Sequence, residues 1–326
     1  MSGHQAVSAE AALARVGALV RPALEEAVGR LQPELREPAL HHLAGGGKGV
    51  RAGLAVIGAE AAGGTEAQGV PGAVAVELVH NYSLIHDDII DNDEERRHRP
   101  TVWAAFGVGR AIVVGDALAT LAIQVLLEHA APTRLRAAQL LTEATAQMIA
   151  GQADDMAFER RDEVSAEETL AMEEGKTGAL LGCASAIGAV LAGADDATVK
   201  ALTLFGQRLG LAFQAVDDVL GIWGDPATTG KPVGSDLLAH KKSLPVVVAR
   251  SRGGPELAAL LAGPIGEPEV ARAVQLIEAT GARDEVMAIA ARALGESMDA
   301  LESVPLVASA REELVAIARF VTERDR

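Results

Sequence analysis

Apolar residues recur at three- and four-residue intervals along almost the whole chain, as in AALARVGALVRPALEEAVGRLQPEL and RAAQLLTEATAQMIAGQADDM. That spacing lines one face of a 3.6-residue helix, and alternating β-branched runs are missing. Ala, Leu and Glu, all good helix formers, dominate these stretches. The pattern predicts an all-α chain of roughly ten to twelve helices. Breaks rich in Gly, Pro and charge fall at 63–72, 92–101, 159–168, 221–245 and 252–269. None is a long low-complexity linker and no segment repeats, so residues 1–326 read as one large helical domain.

With 49% hydrophobic residues the 326-residue chain can fill a large core, but only eight of them are aromatic, so the interior must be aliphatic. A formal charge of −16 argues against nucleic acid as a partner, because phosphate backbones reward a basic surface. A small anion would need a local basic pocket, and lysine usage points to one. Of six lysines, five sit in breaks or helix ends rich in Gly, Ser or Thr: Lys48 in GGGKGVR, Lys176 in EEGKTGALL, Lys231 in GDPATTGKPVGSDL, and Lys241 and Lys242 in HKKSLP. A compact ammonium suits phosphate oxygens. The competing explanation is chance with a coding bias toward Arg. The lone Cys183 excludes an internal disulfide and a cysteine metal site, and reads as a small core residue. A polar, acidic N-terminus without a signal-peptide pattern, and no apolar run near ~18–20 residues, predict a soluble cytoplasmic protein without a membrane span.

The segment LIHDDIIDNDEERRHRP, residues 84–100, sets dense charge directly after the apolar run AVAVELVHNYSLI. Asp87 and Asp91 are four apart and stack on one helix face, with Asp88 about 100° round. Two stacked carboxylates repel unless a cation lies between them. Magnesium commonly binds through one or two carboxylates plus substrate phosphates. A solvated acidic helix end is the ordinary alternative for one such pair. A second pair, Asp217 and Asp218 in LGLAFQAVDDVLGIWGD, again ends an apolar helix and precedes a Gly- and Lys-bearing loop. Two such settings, each followed by basic residues, favour a metal–diphosphate site.

Several motifs in order then resemble the trans-prenyltransferases (polyprenyl diphosphate synthases) over nearly the full length. GGGKGVR looks like the family's isopentenyl diphosphate loop, with Lys48 and Arg51 as contacts and His80 a later one. DDIIDNDEERRHRPT resembles the first aspartate-rich motif with its arginine pair, and GQADD, EEGKTGALL, AFQAVDD, GDPATTGKPVGSDL and KKSLP follow. RFVTERDR resembles the family's basic ending. Two positions depart: Gly221 replaces a third aspartate of the second motif, and Gly49 stands where many relatives carry arginine.

The resemblance implies a single helical bundle around a deep apolar cavity, of isoprenoid synthase type. It implies head-to-tail joining of isopentenyl diphosphate to an allylic diphosphate in a homodimer, with three magnesium ions per active site. Asp87, Asp91 and Asp217 would hold metal, with Asp88 and Asp218 as supporting acids. Arg96, Arg97, Lys176, Lys231 and Lys241 would take diphosphate oxygens, while Lys176, Thr177 and Gln214 would stand near the ionising carbon. Tyr82 and Ser83, five and four residues before Asp87, would set product length, in the manner of members that stop at geranylgeranyl diphosphate. Farnesyl or longer products are the alternatives. A terpene cyclase is a poorer reading, since cyclases steer cations with aromatic faces that this chain scarcely has. A non-catalytic partner subunit predicts eroded site residues, for which Gly221 is the one candidate.

Overall fold

The computed structural model describes residues 8–225, 233–263 and 265–323. Helix dominates, with sixteen α-helical segments and one two-stranded hairpin among these residues. The excess over ten to twelve comes from short pieces such as Val102–Phe106, Ser235–Leu238 and Pro255–Leu261. These are too short to display a helical period, and two lie inside segments that composition marks as breaks.

The chain divides into two compact units. The first is built from residues 8–145, 183–203 and 301–317. It contains α1 (Ala9–Gly29), α2 (Pro33–Leu43), α3 (Val50–Ala61), α4 (Glu66–Ile90), the strands β1 (Glu95–Arg96) and β2 (Arg99–Pro100), α5 (Val102–Phe106) and α6 (Val108–Leu127). α3 is buried from Ala52 through Ala59. It crosses the segment 183–203 so closely that a Cβ on Gly58 or Gly188 would overlap the carbonyl oxygen of Ser185 or Ala55. α4 packs against both α3 and α6. It starts inside the predicted 63–72 break, because Thr65 and Gln68 form a capping box that outweighs the nearby Gly and Pro.

The second unit is built from residues 146–182, 204–300 and 318–323, as far as they are described. α7 (Pro132–Phe158), α9 (Ala179–Ala192) and α10 (Asp196–Trp223) each contribute residues to both units, while α8 (Ala166–Glu173) leads through a π-helical turn, Glu174–Gly178, into α9. α11 (Ser235–Leu238), α12 (Leu244–Arg252), α13 (Pro255–Leu261) and α14 (Glu267–Ala279) follow, and α15 (Ala282–Glu302) and α16 (Ala308–Thr322) are again shared by both units. The core of the second unit joins Val216, Val219 and Ile222 of α10 to Leu244 and Val248 of α12 and Ile277 of α14. The interior is aliphatic as composition requires: of the largest fully buried side chains described, Phe205 is the one aromatic and the others are Leu and Ile.

Two helices bear on the expected lack of a membrane span. α6 and the stretch Ala166–Ala192 are long and apolar enough to cross a membrane by length and composition. Scanning for unbroken apolar runs misses them, since Asp116 and Gln124 interrupt α6 and Lys176 the second stretch. In Ala166–Ala192, 78% of the apolar window is buried inside the protein, which is how a core helix passes the same test; in α6 the share is 44%.

Candidate active site

α4 carries the first aspartate motif at its C-terminal end. The Asp91 amide donates to the Asp87 carbonyl at 2.8 Å, so the last turn is intact and both side chains share a face. Asp91 is exposed and Asp87 half-buried. Asp88 differs: it is fully buried, and its Oδ1 accepts from Arg96 Nε at 2.6 Å. Burial raises the Asp88 pKa, and the Arg96 guanidinium opposes that shift. Arg96 is therefore anchored by a carboxylate.

The charge-dense segment folds back as the β1–β2 hairpin, pairing Glu95 with Pro100 and Arg96 with Arg99. Its two turn residues, Arg97 and His98, both have positive φ, at 53° and 59°. Such backbone is strained by roughly 1–2 kcal/mol per non-Gly residue and persists where the surroundings enforce it. Here Thr101 Oγ1 and Trp103 Nε1 both donate to the Asp93 carbonyl at 2.8 Å, bracing the hairpin. The result carries Arg97 back to the GGGKGVR loop, where its Nη1 would lie 3.3 Å from a Cβ on Gly47. Lys48 follows, exposed, and Gly49 caps α3 with φ of 63°. That left-handed conformation suits glycine.

Arg51, the second residue of α3, donates to His80 Nε2 at 3.3 Å. An arginine can only donate, so His80 accepts through Nε2 and is a neutral imidazole. Burial first, then Arg51 and Arg97, holds the His80 pKa well below its usual value. Burial likewise lowers His42 to about 4, with Arg96 and Arg97 adding to the effect. Glu77, pushed up by burial, accepts from the Ala52 amide at 3.0 Å and faces Arg51. Arg51, His80, Arg96 and Arg97, scattered over nearly fifty residues, thus belong to one cationic region of an acidic chain, with Lys48 next in sequence to the Gly47 that Arg97 approaches.

In the second unit, the π-helical turn brings Lys176 and Thr177 round together; such turns frequently mark functional sites. Lys176 Nζ pairs with Asp155 Oδ2 at 2.5 Å. Thr177 Oγ1 donates to Gln214 Oε1 at 3.0 Å, and Gln214 Nε2 donates to Asp218 Oδ1 at 2.9 Å. The Leu244 amide completes this chain, donating to Asp218 Oδ2 at 2.8 Å. Asp218 is buried, which pushes its pKa up to about 6. Glu173, also buried, faces Asp218 and Asp155 and is held toward its protonated form, by burial first and by those charges second. Asp217 points outward and is exposed. Lys241 is exposed between α11 and α12, and Lys231 lies outside the described residues.

Gly221 has a structural account. A Cβ there would stand 2.5 Å from Asp236 Cγ, so the Asp236 carboxylate occupies the space a third aspartate of the motif would enter. α11 docks on this end of α10: the Gly234 amide donates to the Ile222 carbonyl at 3.2 Å, and Ser235 Oγ to the Gly221 carbonyl at 3.3 Å. Sequence reasoning did not single out Asp236, Asp155, Glu77, His42 or Glu173. Asp236, Asp155 and Glu173 do sit inside quoted motifs, GSDL, GQADD and EEGKTGALL, but only folding shows what each carboxylate meets.

Tyr82 is buried on α4, where its ring packs on His86, and Ser83 Oγ donates to the His80 carbonyl at 2.9 Å. Among the described residues no three His, Cys, Asp or Glu side chains converge as a ready metal cage. The stacked pair Asp87 and Asp91, half-buried and exposed, instead fits a cation that takes its remaining oxygens from substrate and water, the usual habit of magnesium.

Residues 32–279 match the family model for polyprenyl synthetase. The chain belongs to the polyprenyl synthetase family. A (2E,6E)-farnesyl diphosphate synthase of Mycobacterium tuberculosis is 42% identical over 325 residues, covering 94% of this chain and 90% of that protein. A geranylgeranyl diphosphate synthase of the same organism is 40% identical, covering 97% and 94%. Among solved structures, polyprenyl synthetase from Streptomyces coelicolor superposes with a TM-score of 0.92 at 48% identity, covering 95% and 98% of the two chains. This chain is accordingly an all-α trans-prenyltransferase that condenses isopentenyl diphosphate with an allylic diphosphate.

Proposed function

We propose that this synthase makes geranylgeranyl diphosphate, with Tyr82 and Ser83 setting the length of a product that grows into a deep apolar cavity. The observation that carries the assignment of roles is that α4 bears both the stacked Asp87 and Asp91 and the His80 of the cationic cluster. One element thereby serves a metal-bound diphosphate and a second, metal-free diphosphate, as a condensation of two diphosphates requires and a cyclisation does not.

Asp87, Asp91 and Asp217 would hold magnesium, three ions per site with substrate bound, supported by Asp88 and Asp218. Bound there, magnesium supplies charge neutralisation at the leaving diphosphate. Lys176, Lys231, Lys241 and Arg96 take oxygens of the allylic diphosphate. Lys48, Arg51, His80 and Arg97 orient isopentenyl diphosphate. The allylic C–O bond breaks with its electron pair going to the diphosphate. The Thr177 hydroxyl and Gln214 carbonyl turn their dipoles toward the resulting cation. The isopentenyl double bond supplies the electrons of the new C–C bond, and the proton then lost goes to the departing diphosphate.

The whole chain acts as one synthase domain, since the family match spans both compact units. It works in the cytoplasm as a homodimer. The exposed Val108, Ile112 and Val113 of α6 favour a covered face, and light scattering tests it. Assay of purified protein with magnesium, isopentenyl diphosphate and geranyl or farnesyl primers should give twenty-carbon product. A fifteen-carbon end product would overturn the length assignment.

A further inference from the structure

We propose that a cavity between the α7–α8 loop and the α11–α13 segment binds one small amphiphile with a phosphate or diphosphate head and an apolar tail. The cavity measures about 380 Å³ and lies wholly within the second unit. That is the size of an ordinary small-molecule pocket, roughly 300–1,000 Å³. Of its lining, Lys241 alone is among the residues assigned to the condensation substrates.

Its charge is opposite to that of the chain. Arg160, Arg161, Lys241, Lys242 and Arg250 face two acids, Glu159 and Asp162, in a protein of formal charge −16. Arg161 is committed elsewhere, pairing with Glu168 at 2.8 Å and covering the Phe158 ring. Arg160, Lys242 and Arg250 make no salt bridge among the described residues. Lys242 is partly buried, and burial and then Arg250 lower its pKa, against the pull of Asp162. Like charges held together in partial desolvation create a local positive potential that an anionic head relieves.

His240 apart, the remaining wall is apolar, with Leu237, Val247, Leu261 and Ile265 among its residues. A free inorganic anion would satisfy the cations and leave this wall wet. A neutral lipid would cover the wall and leave Arg160, Lys242 and Arg250 without a counter-charge. An amphiphilic phosphate satisfies both, and prenyl phosphates are the ready source in a cell that holds this enzyme.

Titration calorimetry with farnesyl monophosphate tests the site, in EDTA so that metal-dependent diphosphate binding is silent. One equivalent should bind per chain. Affinity should fall about tenfold in Arg250→Gln and likewise in Lys242→Gln, each change removing one charge-assisted hydrogen bond. It should be unchanged in Asp87→Asn. If one variant fails to fold, as judged by circular dichroism, the other gives the same comparison. No binding at millimolar probe overturns the proposal, as do wild-type affinity in both variants, loss in Asp87→Asn, or inorganic diphosphate binding as tightly as farnesyl monophosphate.

Discussion

The Tyr82 ring meets the His86 ring edge-on, with centroids 5.3 Å apart and planes at 89°. His86 is itself clamped, since Nε2 donates to the Ile112 carbonyl at 3.1 Å and the ring fills the space a side chain on Gly115 would need. Tyr82 is thereby fixed one and a half turns, or ~7.5 Å, below Asp87 on the same helix. A ring held this way can stop a growing chain by steric contact. Tyr82→Ala should lengthen the products beyond twenty carbons, and chain-length analysis of dephosphorylated products reads the shift. An unchanged distribution would remove Tyr82 from the account.

Asp87→Asn, Asp91→Asn and Asp217→Asn should each lower kcat by on the order of 10²–10³-fold or more, since each takes a charge from the proposed metal ligands at the leaving diphosphate. Steady-state assay at saturating magnesium measures this. Near-normal turnover in all three would refute the metal assignments.

Lys48→Ala and Arg51→Ala should mainly raise KM for isopentenyl diphosphate. Lys176→Ala, and Lys231→Ala in the segment outside the described residues, should act mainly on the allylic substrate. Equal effects on both substrates from every variant would argue against two separate diphosphate sites.

Gly221→Asp should destabilise the protein, although it restores the family's usual residue. The new carboxylate would collide with and repel that of Asp236. A cost of ~1–3 kcal/mol is typical of such overpacking and appears as a drop of a few degrees in Tm. Gly221→Asp combined with Asp236→Gly should recover most of the loss. A single variant as stable as wild type would contradict the packing seen here.

His42 provides the pH prediction. Its pKa falls from 6.5 when unfolded to about 4 when folded, so the unfolded chain binds its proton more readily. Its contribution to stability is full above pH ~6.5 and is lost as pH drops toward 4. His42→Gln should flatten that part of the Tm-versus-pH curve. Identical slopes between pH 4 and 6.5 in both proteins would refute it.

Much of this protein follows from local sequence. Helical spacing, the stacking of Asp87 on Asp91, and the concentration of lysines in polar breaks depend only on residues a few positions apart, where the helix period dictates geometry. Segment ends were less legible, because a capping box such as Thr65–Gln68 competes with Gly and Pro composition and wins. Long-range meetings were not legible at all. Arg96 anchored on Asp88, Arg97 carried back to Gly47, and Asp236 filling the space beside Gly221 depend on loops closing over 8, 50 and 15 residues. The rotation that buries Tyr82 was equally hidden, because α4 is apolar round most of its circumference and only its packing against α3 and α6 selects a face.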